Sequence, residues 1–205
     1  MNTRSPAAGL ITPSPKGNES AILNAALEAF GVHGFNGASM RDIARGAKTS
    51  LSNLYNYFPS KSHLLSELLR RANDEQLNRI RGAVANADRT AVNRMRAAVE
   101  AFVGFVVDHQ VAALVAISEI RYLTGDEREH VVRARDTTQG IFEQIVADGV
   151  AAGEFRTPHP DDAARSIVSM CSSISTWYRP DGRLSGAQLA EQHARYALAL
   201  LEAEL

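Results

Sequence analysis

SMRDIARGAKTSLSNLYNYFPSKSHLL, residues 39–65, is the stretch on which the reading of the whole chain turns. Ser39 precedes a run in which Met40, Ile43, Ala44 and Ala47 recur at helical spacing, and Asp42 completes the Ser-x-x-acid pattern of a capping box. Lys48 and Thr49 interrupt the run. Ser50 is placed to cap a second short helix over residues 51–58, and Pro59 stops it. Ser60 then caps a longer helix carrying Leu64, Leu65, Leu68, Leu69 and Ala72, which runs on toward Val84. Two short helices joined by a tight turn, the second rich in Ser, Asn and Tyr, fit a helix-turn-helix over residues 39–58, whose second helix enters a DNA major groove. On periodicity alone an ordinary αα-hairpin is the commoner object with this pattern.

The same punctuation continues on both sides. Upstream, Leu23, Ala26, Leu27 and Phe30 share one face of a helix from about Asn18 that Gly31 and Gly34 should end. Before it, residues 1–17 carry Pro6, Pro13 and Pro15 and no apolar run, which reads as a disordered tail. Downstream, helical spacing fills 90–107, 110–123, 126–152, 161–178 and 185–205. Gly125, Gly153, Pro158, Pro160 and the Pro180-Asp181-Gly182 turn separate these segments, and Ser185 with Gln188 forms another capping box. An all-α chain of about nine helices is predicted, with a three-helix reading domain at 18–66 and a helical bundle at 67–205.

The 205 residues carry a net charge of −1, which by itself gives no sign of a polyanion partner. The average hides an asymmetry. Residues 1–66 hold Arg4, Lys16, Arg41, Arg45, Lys48 and Lys61 against Glu19, Glu28 and Asp42, a net of +3, which leaves −4 for the remainder. The lone Cys171 excludes an intramolecular disulfide and a cysteine zinc site, so a reducing cytoplasm is expected. The most apolar stretch, 101–117, is broken by Asp108, His109 and Gln110, and no membrane partner is expected. A Gly-x-Ser-x-Gly elbow, a phosphate-cradling glycine loop and a His-Glu-x-x-His helix are all missing, and the six histidines are dispersed. Neither an enzyme nor a metal or other cofactor is expected.

The residues of 39–65 closely resemble the DNA-binding domain of the tetracycline-repressor family of bacterial regulators. Ile43-Ala44, the turn Ala47-Lys48-Thr49-Ser50, Leu54-Tyr55-Asn56-Tyr57-Phe58 and Ser60-Lys61-Ser62-His63-Leu64 follow in the family's order, preceded by Ala26, Phe30, Gly34 and Phe35. The resemblance implies that Thr49, Ser50, Tyr55 and Tyr57 bond phosphates through hydroxyls, with Lys61 a further phosphate clamp. It also implies that Leu51, Ser52 and Asn53, with Tyr55, face the groove floor, where Asn53 could pair with an adenine edge and Leu51 meet a thymine methyl. Ser39, Arg41, Lys48 and Asn56 complete the DNA-contact candidates. Arg41 and Arg45 are either backbone clamps or solvated charges. Lys48 stands where the family commonly has a turn glycine, and Leu51 and Ser52 replace a polar or basic residue and a glycine.

For residues 67–205 the resemblance implies dimerisation and inducer binding. Apolar stripes of Ile167, Met170, Ile174 and Trp177 and of Leu189, Tyr196, Leu200 and Leu201 fit a homodimer interface, although the same stripes would serve an internal core. Phe102, Phe105, Val106, Ile117, Tyr122, Phe142, Ile145 and Met170 are pocket candidates, each equally open to a plain core role. Among polar residues within apolar runs, His109, Ser118, Glu119, Arg121 and Gln144 stand out; His109 can simply cap a helix end, whereas Arg121 suits a carboxylate or phosphate. Residues 118–123, Arg135-Asp136, Gly149 to Phe155 and 177–185 resemble members that respond to acyl-CoA thioesters. The expected protein is a cytoplasmic, nucleoid-associated repressor, released from a palindromic operator on double-stranded DNA by a small-molecule inducer such as an acyl-CoA. A lipophilic drug-like inducer is the alternative, and a DNA-independent helical ligand carrier a remote one.

Overall fold

The computed structural model describes residues 18–203, in which nine α-helices and one 3-10 turn occur without a strand. In chain order these are α1 (Glu19–Gly37), α2 (Met40–Gly46), α3 (Leu51–Tyr57), α4 (Lys61–Asn86), α5 (Ala91–Asp108) and α6 (Gln110–Ser118). The 3-10 turn Ile120–Tyr122 follows, then α7 (Gly125–Ala151), α8 (Pro160–Trp177) and α9 (Gly186–Leu200). The proposed tail, with Arg4 and Lys16, lies outside the described residues. No single helix among those described is long and apolar enough to cross a membrane.

Local chemistry sets most boundaries. Ser39, Ser50 and Ser60 each accept the backbone N–H three residues on, from Asp42, Asn53 and His63, at 3.1, 3.1 and 3.0 Å. At α9 the capping box is complete: Ser185 Oγ accepts from Gln188 N–H, and Gln188 Oε1 accepts from Ser185 N–H. The box expected at Ser39 is only half made, because the Asp42 carboxylate takes the Ser39 hydroxyl and the Arg45 guanidinium. Gly153, at φ 74, closes α7 as expected.

Two boundaries differ from the sequence expectation. Helical hydrogen bonding resumes beyond Gly34, which adopts φ 67 and ψ 173 and puts a kink inside α1. The predicted helix over 110–123 stops at Ser118 and finishes as the 3-10 turn.

The chain forms two compact units, whose boundaries fall within α4, between α5 and α6, and within α7. The first comprises the described residues through 74 together with 109–134. Its core is Ile22, Leu23, Leu27, Phe30, Ile43, Leu54, Leu64 and Leu65, all buried. Here α1 packs on α2 and α6. A Cβ at Gly31 would stand 2.6 Å from Val111 Cγ1, so glycine permits the close approach of α1 to α6. Arg71 ties α4 to α1 by pairing with Glu19 as well as with Glu67.

The second unit holds 75–108 and the residues from 135. In it α5 packs on α8 and α9 around Met95, Val99, Val103, Ile167, Ile174, Leu189 and Leu198. Arg94 pairs with Asp148 at 2.7 Å and Arg79 with Asp108 at 2.8 Å.

Candidate nucleic-acid interface

The turn between α2 and α3 is built by backbone bonds. Thr49 N–H donates to Ala44 O at 3.0 Å and Lys48 N–H to Arg45 O at 3.1 Å, with Lys48 at φ 53. This is a Schellman closure with lysine in the left-handed position that glycine usually fills. Ser50 follows at once as the cap of α3, so two serine caps and one left-handed residue define the angle of the pair. Leu54 and Phe58 anchor α3 inward, fully or nearly buried.

The opposite face is open. Ser52, Tyr55 and Asn56 are exposed on α3, as are Ser50, Lys48, Arg41, Arg45 and Ser39 beside it. Thr49, Leu51, Asn53, Tyr57 and Lys61 are half-buried. Tyr55, 47% exposed, is the most accessible large aromatic of this helix. Arg45 pairs with Asp42 on α2.

Besides the two serine caps, Thr49, Asn53 and Lys61 are engaged internally. Asn53 Nδ2 donates to Thr49 Oγ1 at 2.7 Å, so an adenine-reading amide would first have to exchange that bond. Lys61 Nζ donates to the carbonyls of Phe35 and Ala38, at 2.6 and 2.9 Å, and lies 4.4 Å from the Phe35 ring centroid. Those acceptors lie 26 and 23 residues upstream, and nothing in the local sequence points to them.

The pocket candidates divide between the units. Phe102, Phe105, Val106, Phe142 and Ile145 are buried in the second, where the Phe102 and Phe142 rings meet edge-on at 6.0 Å. Met170 is half-buried. In the first unit, His109 is buried at the N-cap position of α6, yet its ring makes no cap bond. Ile117 is exposed, Tyr122 half-buried, and the exposed Arg121 guanidinium lies 5.1 Å from the Tyr122 ring centroid. Glu119 is turned to the backbone, accepting Phe35 N–H at 2.7 Å. Gln144 bonds Asp148 along α7, and Ser118 Oγ donates to Leu114 O.

The dimer candidates also separate. Ile167, Ile174, Leu189 and Leu201 are buried within the second unit. Trp177, Tyr196 and Leu200 are exposed, at 50, 49 and 39%. Trp177 stacks on His193, which meets Tyr196 edge-on. An open groove of about 820 Å³ runs along α9, lined by Gln188, Gln192, Arg195, Tyr196 and Ala199 among others.

Comparison with known proteins matches residues 22–68 to the model described as "Bacterial regulatory proteins, tetR family". Residues 88–201, more than half of the chain, match "Tetracyclin repressor-like, C-terminal domain". The chain belongs to the tetracycline-repressor family. It is therefore a DNA-binding transcriptional regulator, and the helix-turn-helix is its reading head.

Among sequence relatives, the HTH-type transcriptional repressor KstR2 of Mycobacterium tuberculosis H37Rv is 27% identical over 181 residues, covering 86% of this chain and 89% of that protein. The solved structure of the ketosteroid transcriptional regulator KstR2 from M. tuberculosis superposes with a TM-score of 0.84 at 22% identity, over 95% of this chain and 100% of that one. AibR, crystallised in complex with isovaleryl coenzyme A and operator DNA, gives a TM-score of 0.80 at 24% identity, over 90% of this chain and 98% of that one. At those identities the two structures establish the fold shared with this tetracycline-repressor-type regulator.

Proposed function

We propose that the protein is a homodimeric repressor, released from a palindromic operator by an acyl-CoA thioester. The observation that carries the DNA half of this reading is the split of α3: Leu54 and Phe58 lock it from beneath, while Ser52, Tyr55 and Asn56 face outward with no internal role. A short rigid helix with hydroxyls and amides outward suits phosphates and base edges, because donors of that length reach both. Two such helices, related by a two-fold axis and one DNA turn apart, would read two half-sites.

The inducer half rests on the kinship with AibR, whose complex contains isovaleryl coenzyme A, and with the repressor KstR2. In this reading the exposed Arg121 offers a cation for an anionic group of the thioester. An inducer favouring another angle of α4 changes the separation of the two reading heads and lowers operator affinity. To move occupancy from almost full to almost empty, it must prefer the released state by about 5.5 kcal/mol.

Binding-site selection on random duplex DNA, followed by fluorescence anisotropy on the selected operator, tests both halves. Tyr55→Ala with Ser52→Ala should abolish selective binding while leaving the helical circular dichroism intact. Retained operator selectivity in that variant would refute the assignment of α3. Release by short acyl-CoA thioesters, and not by free CoA, is expected; a regulator that binds its operator and ignores every thioester removes the inducer proposal alone.

A further inference from the structure

We infer that Lys61 and Glu119 position the reading head from two sides of one peptide segment, and that Lys61 acts through this segment and not as a phosphate contact. The geometry starts at Gly34. Its φ of 67 breaks the helical ladder of α1, and this frees the Phe35 N–H from the ordinary intrahelical partner. Glu119, only 5% exposed, accepts that N–H at 2.7 Å. The Phe35 carbonyl is taken from the other side of the residue by Lys61 Nζ at 2.6 Å. The same ammonium reaches Ala38 O at 2.9 Å, and Ala38 immediately precedes Ser39, the cap of α2. An anion holds the donor of Phe35 while a cation holds its acceptor and the last residue before the helix-turn-helix.

The aromatic contacts fix the same point. The Phe35 ring lies 4.4 Å from the Lys61 ammonium and stacks on Tyr122 at 5.2 Å with an interplanar angle of 16°. Both Glu119 and Tyr122 belong to the corner where α6 passes into the 3-10 turn, outside the 22–68 region matched to the reading head. Two of the three ammonium donors of Lys61 are committed to carbonyls, which fixes the ammonium against the 35–38 segment. A rearrangement of the corner at 119–122 thereby reaches α2 and α3 through a single residue. This inference requires DNA binding, and it stands whether or not the inducer is an acyl-CoA.

Salt dependence separates positioning from phosphate contact. Operator affinity of the full-length protein is measured by fluorescence anisotropy over a range of KCl concentrations for Lys61→Met, Glu119→Ala, Glu119→Gln and the Lys61→Met/Glu119→Ala double variant. Circular dichroism melting establishes that each is folded. Loss of a charge-assisted bond to the clamp should weaken operator binding about tenfold in either single variant. The slope of log K against log salt should stay at the wild-type value. The double variant should be no weaker than about the worse single one, because both act on the same segment. Glu119→Gln, which keeps an acceptor oxygen, should recover most of the affinity, and with Lys61→Met it carries the test if Glu119→Ala does not fold. A slope reduced by about 0.9 for each lost contact in Lys61→Met would show a phosphate ligand and overturn the inference. So would strictly additive effects of the two changes, or wild-type affinity in both Glu119 variants.

Discussion

Lys48 shows how one residue can carry a structural cost and a charge at the same place. It sits at φ 53, where a side chain is disfavoured, and the turn between α2 and α3 closes through its N–H. Strain of this kind costs about 1–3 kcal/mol, and glycine would relieve it. Glycine also adds freedom to the unfolded chain, a cost of about 0.5–1 kcal/mol. Lys48→Gly should therefore raise stability in urea unfolding by up to about 2.5 kcal/mol, whereas Lys48→Val should lower it, since a β-branched residue is an outlier at positive φ. The same glycine variant should flatten the salt dependence of operator binding if the exposed ammonium meets a phosphate. Beneath the turn, Leu54 is fully buried, and Leu54→Ala should cost about 2–5 kcal/mol by cavity formation, measured in the same unfolding experiment.

At the scale of elements, α4 is held to α1 by a small ionic brace. Burial of Glu67 opposes its ionisation, but hydrogen bonds from Arg70 and Arg71 outweigh it, and the carboxyl stays below its ordinary range. A carboxyl depressed in the folded state adds stability above its unfolded pKa and loses it as pH falls through the folded value. The melting temperature should therefore drop as the solution is acidified below about pH 4.3, and Glu67→Gln should drop less steeply over the same range. An equal slope in the variant would remove Glu67 from the acid response.

The fold was legible where neighbours in sequence make the decision. Ser39, Ser50, Ser60 and Ser185 each cap a helix through a bond three residues away, and Pro59 and Gly153 stop helices by their own backbone chemistry. The outward face of α3 was legible for the same reason, because helical spacing alone separates Leu54 and Phe58 from Tyr55. The inward turn of Lys61, the end of α6 at Ser118 and the pairing of Glu19 with Arg71 across 52 residues were not. Each depends on a partner that only the folded chain supplies.

At the scale of the whole molecule, the exposed and buried side chains of α8 and α9 bear on assembly. Cys171 lies at the buried side of α8, where desolvation pushes its thiol up to about 12. It should resist a thiol reagent such as DTNB at neutral pH until denaturant is added, and a fast reaction in the native protein would place it elsewhere. Trp177, Tyr196 and Leu200 face the other way. A helical regulator that leaves two aromatic rings and a leucine open beside a groove has an uncovered apolar face, and a second copy is the proposed cover. Tyr196→Glu with Leu200→Glu should then yield a folded monomer in analytical ultracentrifugation, because neither residue contributes to the buried core. Placing charges against an apolar partner surface leaves them without water or counter-charge, which disfavours association far more than folding. Operator affinity should fall by orders of magnitude in that monomer, since one reading head loses the avidity of two. A variant that remains dimeric would mean that the copies meet through another face. A monomer with undiminished operator affinity would mean that one helix-turn-helix is sufficient.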